Sequence, residues 1–269
     1  VSRPAGPRIA STGDRLPPPR PRTRPPGRVV RTASGVATRV GPTSTFAAFL
    51  ILGLLVITAA SSLFAGLYVA VIDDDSVALL DEPALHLAMD VRSPWLDTAV
   101  TVFTEAAGVY AVPIVGVAVI VLLAIRRRQW VPVVLGLTAG AGSLLMTEVG
   151  KDLVGRDRPP RADAVPPYET SPSFPSGHTL NASVVAGIVA YLLVLRQLRR
   201  STRVLTYVVA IAFAASVSLS RVYLGHHWLT DVLAGWLLAL AWLALVVMAH
   251  RLRLRLLEAR ERERDDRGA

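Results

Sequence analysis

The sequence predicts an all-α protein, a bundle of six transmembrane helices. Composition is the first reason: 52% of the 269 residues are hydrophobic, and the mean hydropathy is +0.46, too apolar for an ordinary soluble globule. Distribution is the second, because the apolar residues gather into six long runs separated by charged segments. The third is a lopsided placement of charge. Four of those segments hold 23 of the 29 basic residues.

The first run, Phe46–Ile72, has no charged residue. Its length corresponds to about 40 Å of helix, more than the roughly 30 Å of a hydrocarbon core. It is too long, and starts too late, for a cleaved signal peptide, and no small-residue cleavage site precedes a soluble domain, so it is expected to remain as an anchor. The segment Asp73–Thr98 follows, broken into short pieces by Pro83 and Pro94. Leu79, Leu80, Leu85, Leu87 and Met89 fit a short amphipathic helix lying on the membrane surface, and equally the packing of a connecting loop.

The second run, Val100–Ile125, carries Glu105 near its start. A carboxylate there is costly in lipid, so residues 95–105 are alternatively an interfacial entry. Val131–Val149 is the third span and Thr179–Leu195, a short one, the fourth. Val204–Leu219 and Leu229–Ala249 complete the six. No internal repeat and no second folded domain is evident.

Charge orients the bundle. Nine arginines precede Phe46, three stand at Arg126–Arg128, four between Arg196 and Arg203, and seven after His250. The other side has Arg92, Lys151, Arg156, Arg158, Arg161 and Arg221, with an acidic first segment. Basic residues favour the cytoplasm, so both termini are expected inside a bacterial plasma membrane crossed several times. The net charge of +9 is then topology and contact with anionic membrane lipid rather than a nucleic-acid surface. Absence of cysteine excludes disulfides and thiolate metal sites.

Three regions result: a basic Pro/Arg-rich tail at 1–45, a membrane domain at 46–249, and a charged C-terminal helix or tail at 250–269. The first holds nine of the 19 prolines and few large apolar residues, the mark of a solvated disordered segment. Its Pro17–Pro19 and Pro25–Pro26 stretches also have the form of polyproline ligands.

Three polar clusters interrupt the apolar sequence, all on the expected outer side. Lys151, the single lysine of the chain, opens the spacing Lys151-x6-Arg158-Pro159. Lysine supplies a point charge and arginine two parallel bonds to phosphate oxygens. Arg156 and Arg161 nearby read as ordinary loop charges. Pro175-Ser176-Gly177-His178 precedes an apolar helix; Ser176 suits an N-cap, Gly177 permits close backbone approach, and a helix start attracts anions. Ser220-Arg221-x5-His227-x3-Asp231 is the third. Four-residue spacing puts His227 and Asp231 on one helical face, where a carboxylate can fix the imidazole tautomer and leave the other nitrogen to attack. His226 faces elsewhere, and Trp228 reads as an interfacial anchor. Taken singly, the clusters also have structural readings: snorkelling cations, a helix cap, a structural His–Asp pair.

Together, in this order and spacing, the clusters resemble the signature of the type-2 phosphatidic acid phosphatase family, whose fold is shared with vanadium haloperoxidases. The resemblance covers roughly residues 73–240, with every motif position matched. It implies that His227 and Asp231 form the nucleophile pair, that His178 protonates the leaving group, and that Lys151, Arg158, Ser176, Gly177 and Arg221 bind phosphate, with no cofactor and no metal. It implies a phosphatase acting at the outer face on a lipid phosphate or diphosphate through a phosphohistidine. A non-catalytic lipid-phosphate binding or transport protein and a vanadate-dependent haloperoxidase are the alternatives. Among substrates a polyprenyl diphosphate, the spent carrier of wall synthesis, ranks ahead of phosphatidic acid and phosphatidylglycerol phosphate. Oligomeric state is not readable from the sequence.

Overall fold

The structure, a computed structural model, describes Ser2, residues 42–108 and residues 111–268. The tail expected at 1–45 therefore lies outside the described residues, except for Ser2 and the start of the first helix. By contacts the chain divides into Val1–Ala47 and Ala48–Ala269, and the second unit carries everything that follows. Its regular structure, among the described residues, is helical.

Helix α1 spans Pro42–Asp73, as the unbroken apolar run requires. Ile51, Leu52, Leu55 and Leu63 along it are more than half exposed, which suits contact with lipid. A 3-10 turn, Ser76–Leu80, leads into α2, Asp81–Asp90, and then α3, Pro94–Ala106. Both prolines act as expected: Pro94 starts α3, and Pro83 lies in the first turn of α2, where a missing N–H costs nothing. Of the leucines in this segment, Leu85 is buried, while Leu79, Leu80 and Leu87 are exposed.

The predicted second span is interrupted. Helix α3 ends at Ala106, and α4 begins at Ala111 and runs to Arg127, 17 residues. Glu105 thus sits near the end of a 13-residue helix. Among the described residues, five helices are long and apolar enough to cross a membrane: Ser44–Asp73, Val131–Val154, Gly177–Val194, Arg200–Tyr223 and Leu229–Arg267. The described residues thus form an all-α membrane protein with five candidate spans.

Helix α5 covers Val131–Val154 and stops at Gly155, whose φ of +61° places it in the left-handed region that closes helix ends. Helix α6, Gly177–Val194, is the centre of the bundle and packs against α4, α5, α7 and α8. Most of its apolar stretch is buried, 61% against 6–28% in the other four candidate spans. Small residues on it explain the close packing. Leu180, Val184, Ile188 and Leu192 form one core with Ile120, Leu135, Ala139 and Ala239.

Helix α7 spans Arg200–Tyr223, and α8 continues from Leu229 to Gly268, 40 residues without a break. The charged segment expected at 250–269 is therefore an extension of the last spanning helix. The chain direction alternates from α5 to α8, so the C-terminal ends of α5 and α7 meet the N-terminal ends of α6 and α8. All three polar clusters lie at those four ends. Arg127 marks the opposite end, where its guanidinium donates to the Leu192 carbonyl at 2.8 Å.

Candidate active site

The site is assembled from helix ends because each cluster sits where an apolar run stops. Gly155 turns the chain out of α5 and sends Arg156 and Arg158 back across the bundle. At the other junction Gly225, with φ +67°, makes the tight turn between α7 and α8. A Cβ there would lie 2.6 Å from the Asp163 carbonyl oxygen, so the turn tolerates nothing larger. Arg92 secures the same junction, donating to the carbonyls of Tyr223 (2.9 and 2.6 Å) and Asp163 (2.7 Å).

His227 lies in that turn, just before α8, and Asp231 in the first turn of α8. Both are buried, at 1% and 0% exposure. His227 Nδ1 stands 3.3 Å from Asp231 Oδ2, so the four-residue spacing joins them although His227 is not itself helical. Asp231 Oδ2 also accepts from the Ser173 hydroxyl and from Trp228 N–H, the latter at 2.9 Å. Ser173 Oγ is 3.4 Å from His227 Nδ1. With Nδ1 turned to the carboxylate, Nε2 faces Arg158 Nη1 at 3.3 Å. Burial, followed by the nearby Arg158 and Arg221 charges, pushes the His227 imidazole well below its ordinary range, so it is neutral at pH 7.

Arg158 is held by the Ser171 carbonyl (2.7 Å) and the His226 carbonyl (2.5 Å). Arg221 is fully buried, and its Nη1 donates to Thr104 of α3 at 3.3 Å. Its Nε has no partner among the described residues, leaving an N–H to offer. Lys151 stands in the last turn of α5 and donates to Ser171 Oγ at 2.7 Å, the same oxygen that Arg158 Nη2 reaches at 3.2 Å. The three cations predicted to share one anion thus converge.

Between the two arginines lies a carboxylate that the sequence reading did not place in the site. Glu169 pairs with Arg158 at 2.7 Å through one oxygen and with Arg221 through the other. Donor atoms of Glu169, His178 and His227 all lie within 4.8 Å of one another. The Glu169 carboxylate is thus the anion that the two guanidiniums hold. Burial raises its pKa, but Arg221 and Arg158 outweigh burial and hold it at about 2. No spacing rule connects residue 169 to its partners. Its one signal is being a carboxylate on the loop that links the first two clusters.

His178 occupies the first turn of α6, facing this group. Ser176 is the N-cap as expected, its Oγ accepting Thr179 N–H at 3.5 Å. Its own N–H, however, donates to the Asp231 carbonyl at 3.1 Å. That bond joins the second and third clusters. Gly177 marks where α6 meets α5, since a Cβ would lie 2.8 Å from Thr147 Cγ2.

Three side chains outside the predicted site make specific contacts beside it. Arg156 is largely buried and bridges two carboxylates, Asp231 Oδ1 at 2.7 Å and Asp81 Oδ2 at 2.8 Å. Charge type alone could not distinguish it from Arg161, which is exposed and lies over the Tyr168 ring. His226 is buried, its Nε2 2.7 Å from the Val165 carbonyl. Burial and then Arg221 depress its pKa to about 4, so it is neutral and donates there. Trp228 donates to the Asp157 carbonyl at 3.0 Å and lies under Arg156, which makes it part of the loop packing.

The arrangement offers a neutral, oriented imidazole beside an anion cradle built of guanidinium groups. The PAP2 superfamily model matches residues 129–255, which hold all three clusters. Phosphatidylglycerophosphatase B of Bacillus subtilis (strain 168) is 36% identical over 181 residues, 66% of this chain and 87% of that protein. Undecaprenyl-diphosphatase of Sulfolobus acidocaldarius is 41% identical over 78 residues, 29% of this chain and 33% of that one. The crystal structure of the transmembrane PAP2-type phosphatidylglycerolphosphate phosphatase from Bacillus subtilis superposes with a TM-score of 0.66 at 30% identity, covering 72% of this chain and 96% of that chain.

Proposed function

The chain belongs to the PAP2 superfamily, and from that premise we propose that it is a lipid phosphatase that removes a terminal phosphate by passing it through His227. The observation that carries this reading is the position of Glu169. An anion already rests between Arg158 and Arg221, within 4.8 Å of donor atoms on both His178 and His227. A phosphate in that place has its charge met by two guanidiniums and its phosphorus within reach of His227 Nε2.

Attack by Nε2 forms the P–N bond as the P–O bond to the lipid breaks. His178, entering the cycle as an imidazolium stabilised by the negative charge of the bound phosphate, gives a proton to the departing oxygen, and His227 keeps its Nδ1 proton against Asp231. Water then attacks phosphorus, giving its proton to His178, the P–N bond breaks, and phosphate leaves. Lys151, Arg158 and Arg221 stabilise the charge on the transferred group, as preorganised cations do in a dry site. No chemistry in this cycle calls for a metal.

The same reading places six spans in the bilayer. Helix α4, at 17 residues, reaches the lower end of spanning length and supplies the crossing that α1 and α5 to α8 require. Six crossings return both basic tails to the cytoplasm, whereas five would put one of them outside. The helix ends bearing the clusters then face the exterior.

Substrate rank follows similarity. The relative matched over most of its length is named for phosphatidylglycerophosphate, and the one named for undecaprenyl diphosphate matches over a third. We therefore place phosphatidylglycerol phosphate first and a polyprenyl diphosphate second, reversing the order drawn from the sequence. Phosphate release from purified protein is to be compared across phosphatidylglycerol phosphate, phosphatidic acid and a polyprenyl diphosphate. Highest kcat/KM on the first is expected; release from none of them would overturn the phosphatase reading.

A further inference from the structure

Asp231 is fully buried, and the hydrogen bonds that fix it come from outside the His–Asp pair. Its Oδ2 takes the Ser173 hydroxyl and Trp228 N–H and faces His227. Its Oδ1 takes one charged donor, Arg156 Nη1, at 2.7 Å. The same guanidinium is anchored at its other end, where Nη2 donates to Asp81 Oδ2 at 2.8 Å. Asp81 is itself only 4% exposed, although it opens α2, some seventy positions before the first cluster. It also accepts Thr230 N–H at 2.8 Å through Oδ1 and the Thr230 hydroxyl at 2.6 Å through Oδ2. Arg156 completes the ring with a bond to Thr230 Oγ1 at 2.8 Å.

We propose that Asp81 and Arg156 are positioning residues of the phosphotransfer site, acting on His227 through Asp231. The inference rests on the His227–Asp231 reading given above. Asp81 lies outside the residues matched by the superfamily model, and neither side chain reaches the anion. What they control is the carboxylate. Bonding to His227 uses one oxygen of Asp231, so rotation of that carboxylate would misalign the Nδ1–H contact and with it the Nε2 lone pair. Arg156 holds the opposite oxygen and stops the rotation. Its charge also balances Asp231, which must stay an anion in a buried site when the phosphorylated imidazole becomes a cation.

Arginine is suited to this task because its planar fork binds two carboxylates at once with fixed geometry, which a lysine cannot do. Asp81 keeps that fork from swinging and, through Thr230, pins the first turn of α8 on which Asp231 sits. The chain of contacts runs His227, Asp231, Arg156, Asp81. It ties a surface helix between the first two spans to the nucleophile.

The test is a double-mutant cycle on turnover. Asp81→Asn is isosteric and its one oxygen can keep the Thr230 N–H bond, while its amide nitrogen cannot accept from Arg156 or the Thr230 hydroxyl. Arg156→Lys keeps the cation but loses the fork. Each is expected to lower kcat by about 10–100-fold, the size seen when outer partners of an oriented histidine are removed in metal sites. KM and inhibition by vanadate should stay near wild type, since Lys151, Arg158 and Arg221 are untouched. In an Asp231→Asn background the same substitutions should have little further effect, because residues acting as one unit are non-additive.

Wild-type kcat in both variants, a change confined to KM, or losses that add fully to that of Asp231→Asn would overturn the proposal. Melting in detergent shows whether each variant is folded, and Arg156→Lys serves if Asp81→Asn is not. Wild-type turnover in Asp231→Asn would sink the nucleophile reading itself. A strong loss there beside a normal Asp81→Asn would sink this inference alone.

Discussion

On the function proposed above, replacing Glu169 with glutamine removes an anion that substrate phosphate must displace. The carboxyl is held at about 2 against an ordinary 4.5. At about 1.4 kcal/mol per unit this is on the order of 3 kcal/mol in favour of the ionised, arginine-paired state. Part of that is recovered when the side chain swings out, because it is already 28% exposed and regains water and screening. A net advantage to the incoming anion of about 1–2 kcal/mol remains, which is roughly a 5–30-fold gain in affinity. Glutamine keeps the shape and a hydrogen-bond acceptor while losing the charge. The assay is competitive inhibition by orthovanadate and by inorganic phosphate at fixed detergent and ionic strength. Both inhibition constants should fall in Glu169→Gln. Unchanged or weaker inhibition would refute the argument, and would mean that Glu169 organises the two arginines rather than competing for them.

Three further outcomes are expected. His226 has an ordinary pKa of 6.5 and is depressed to about 4 in the folded protein, so between those values the unfolded chain binds the proton first. Stability is therefore present above pH 6.5 and declines as pH falls toward 4. Melting in detergent across that window should show the decline, and His226→Gln should lessen its slope, part of the remainder belonging to His227, whose imidazole is depressed too. Turnover should persist in excess chelator; complete loss restored by magnesium would contradict the cation cradle. With no native cysteine in the chain, Ala162→Cys should react with an impermeant thiol reagent in intact cells and Gln129→Cys should not, the reverse pattern placing the site inside.

How much of this could be read from the chain differs by residue. Lys151, Arg158, His178, Arg221, His227 and Asp231 are legible because their spacing is local and an apolar background makes each polar residue conspicuous. The helix boundaries of α1, α5, α6 and α7 are legible for the same reason, since charge, proline or glycine ends every run. The second span misleads because hydropathy stays high across 100–125 while α3 ends at Ala106 and the chain turns at Ala107 and Gly108. Glu105 is the one residue that flags it. Asp81, Arg156 and Glu169 are not legible, because their roles depend on partners about 50–75 positions away. An aspartate at a helix start and an arginine in a loop look ordinary until the fold closes over them. Ser176 likewise makes a contact that no spacing reveals, its N–H donating to the Asp231 carbonyl.

The central claim is that phosphate passes through His227. It is tested most directly by trapping the intermediate. Purified protein is mixed with substrate carrying radiolabelled terminal phosphate, quenched within the first turnovers under alkaline conditions that preserve phosphohistidine, and digested. The label should appear on the peptide containing His227 and be absent from the His227→Ala protein, which should release no phosphate. Label carried by His178 or any other residue, or turnover surviving in His227→Ala, would contradict the mechanism.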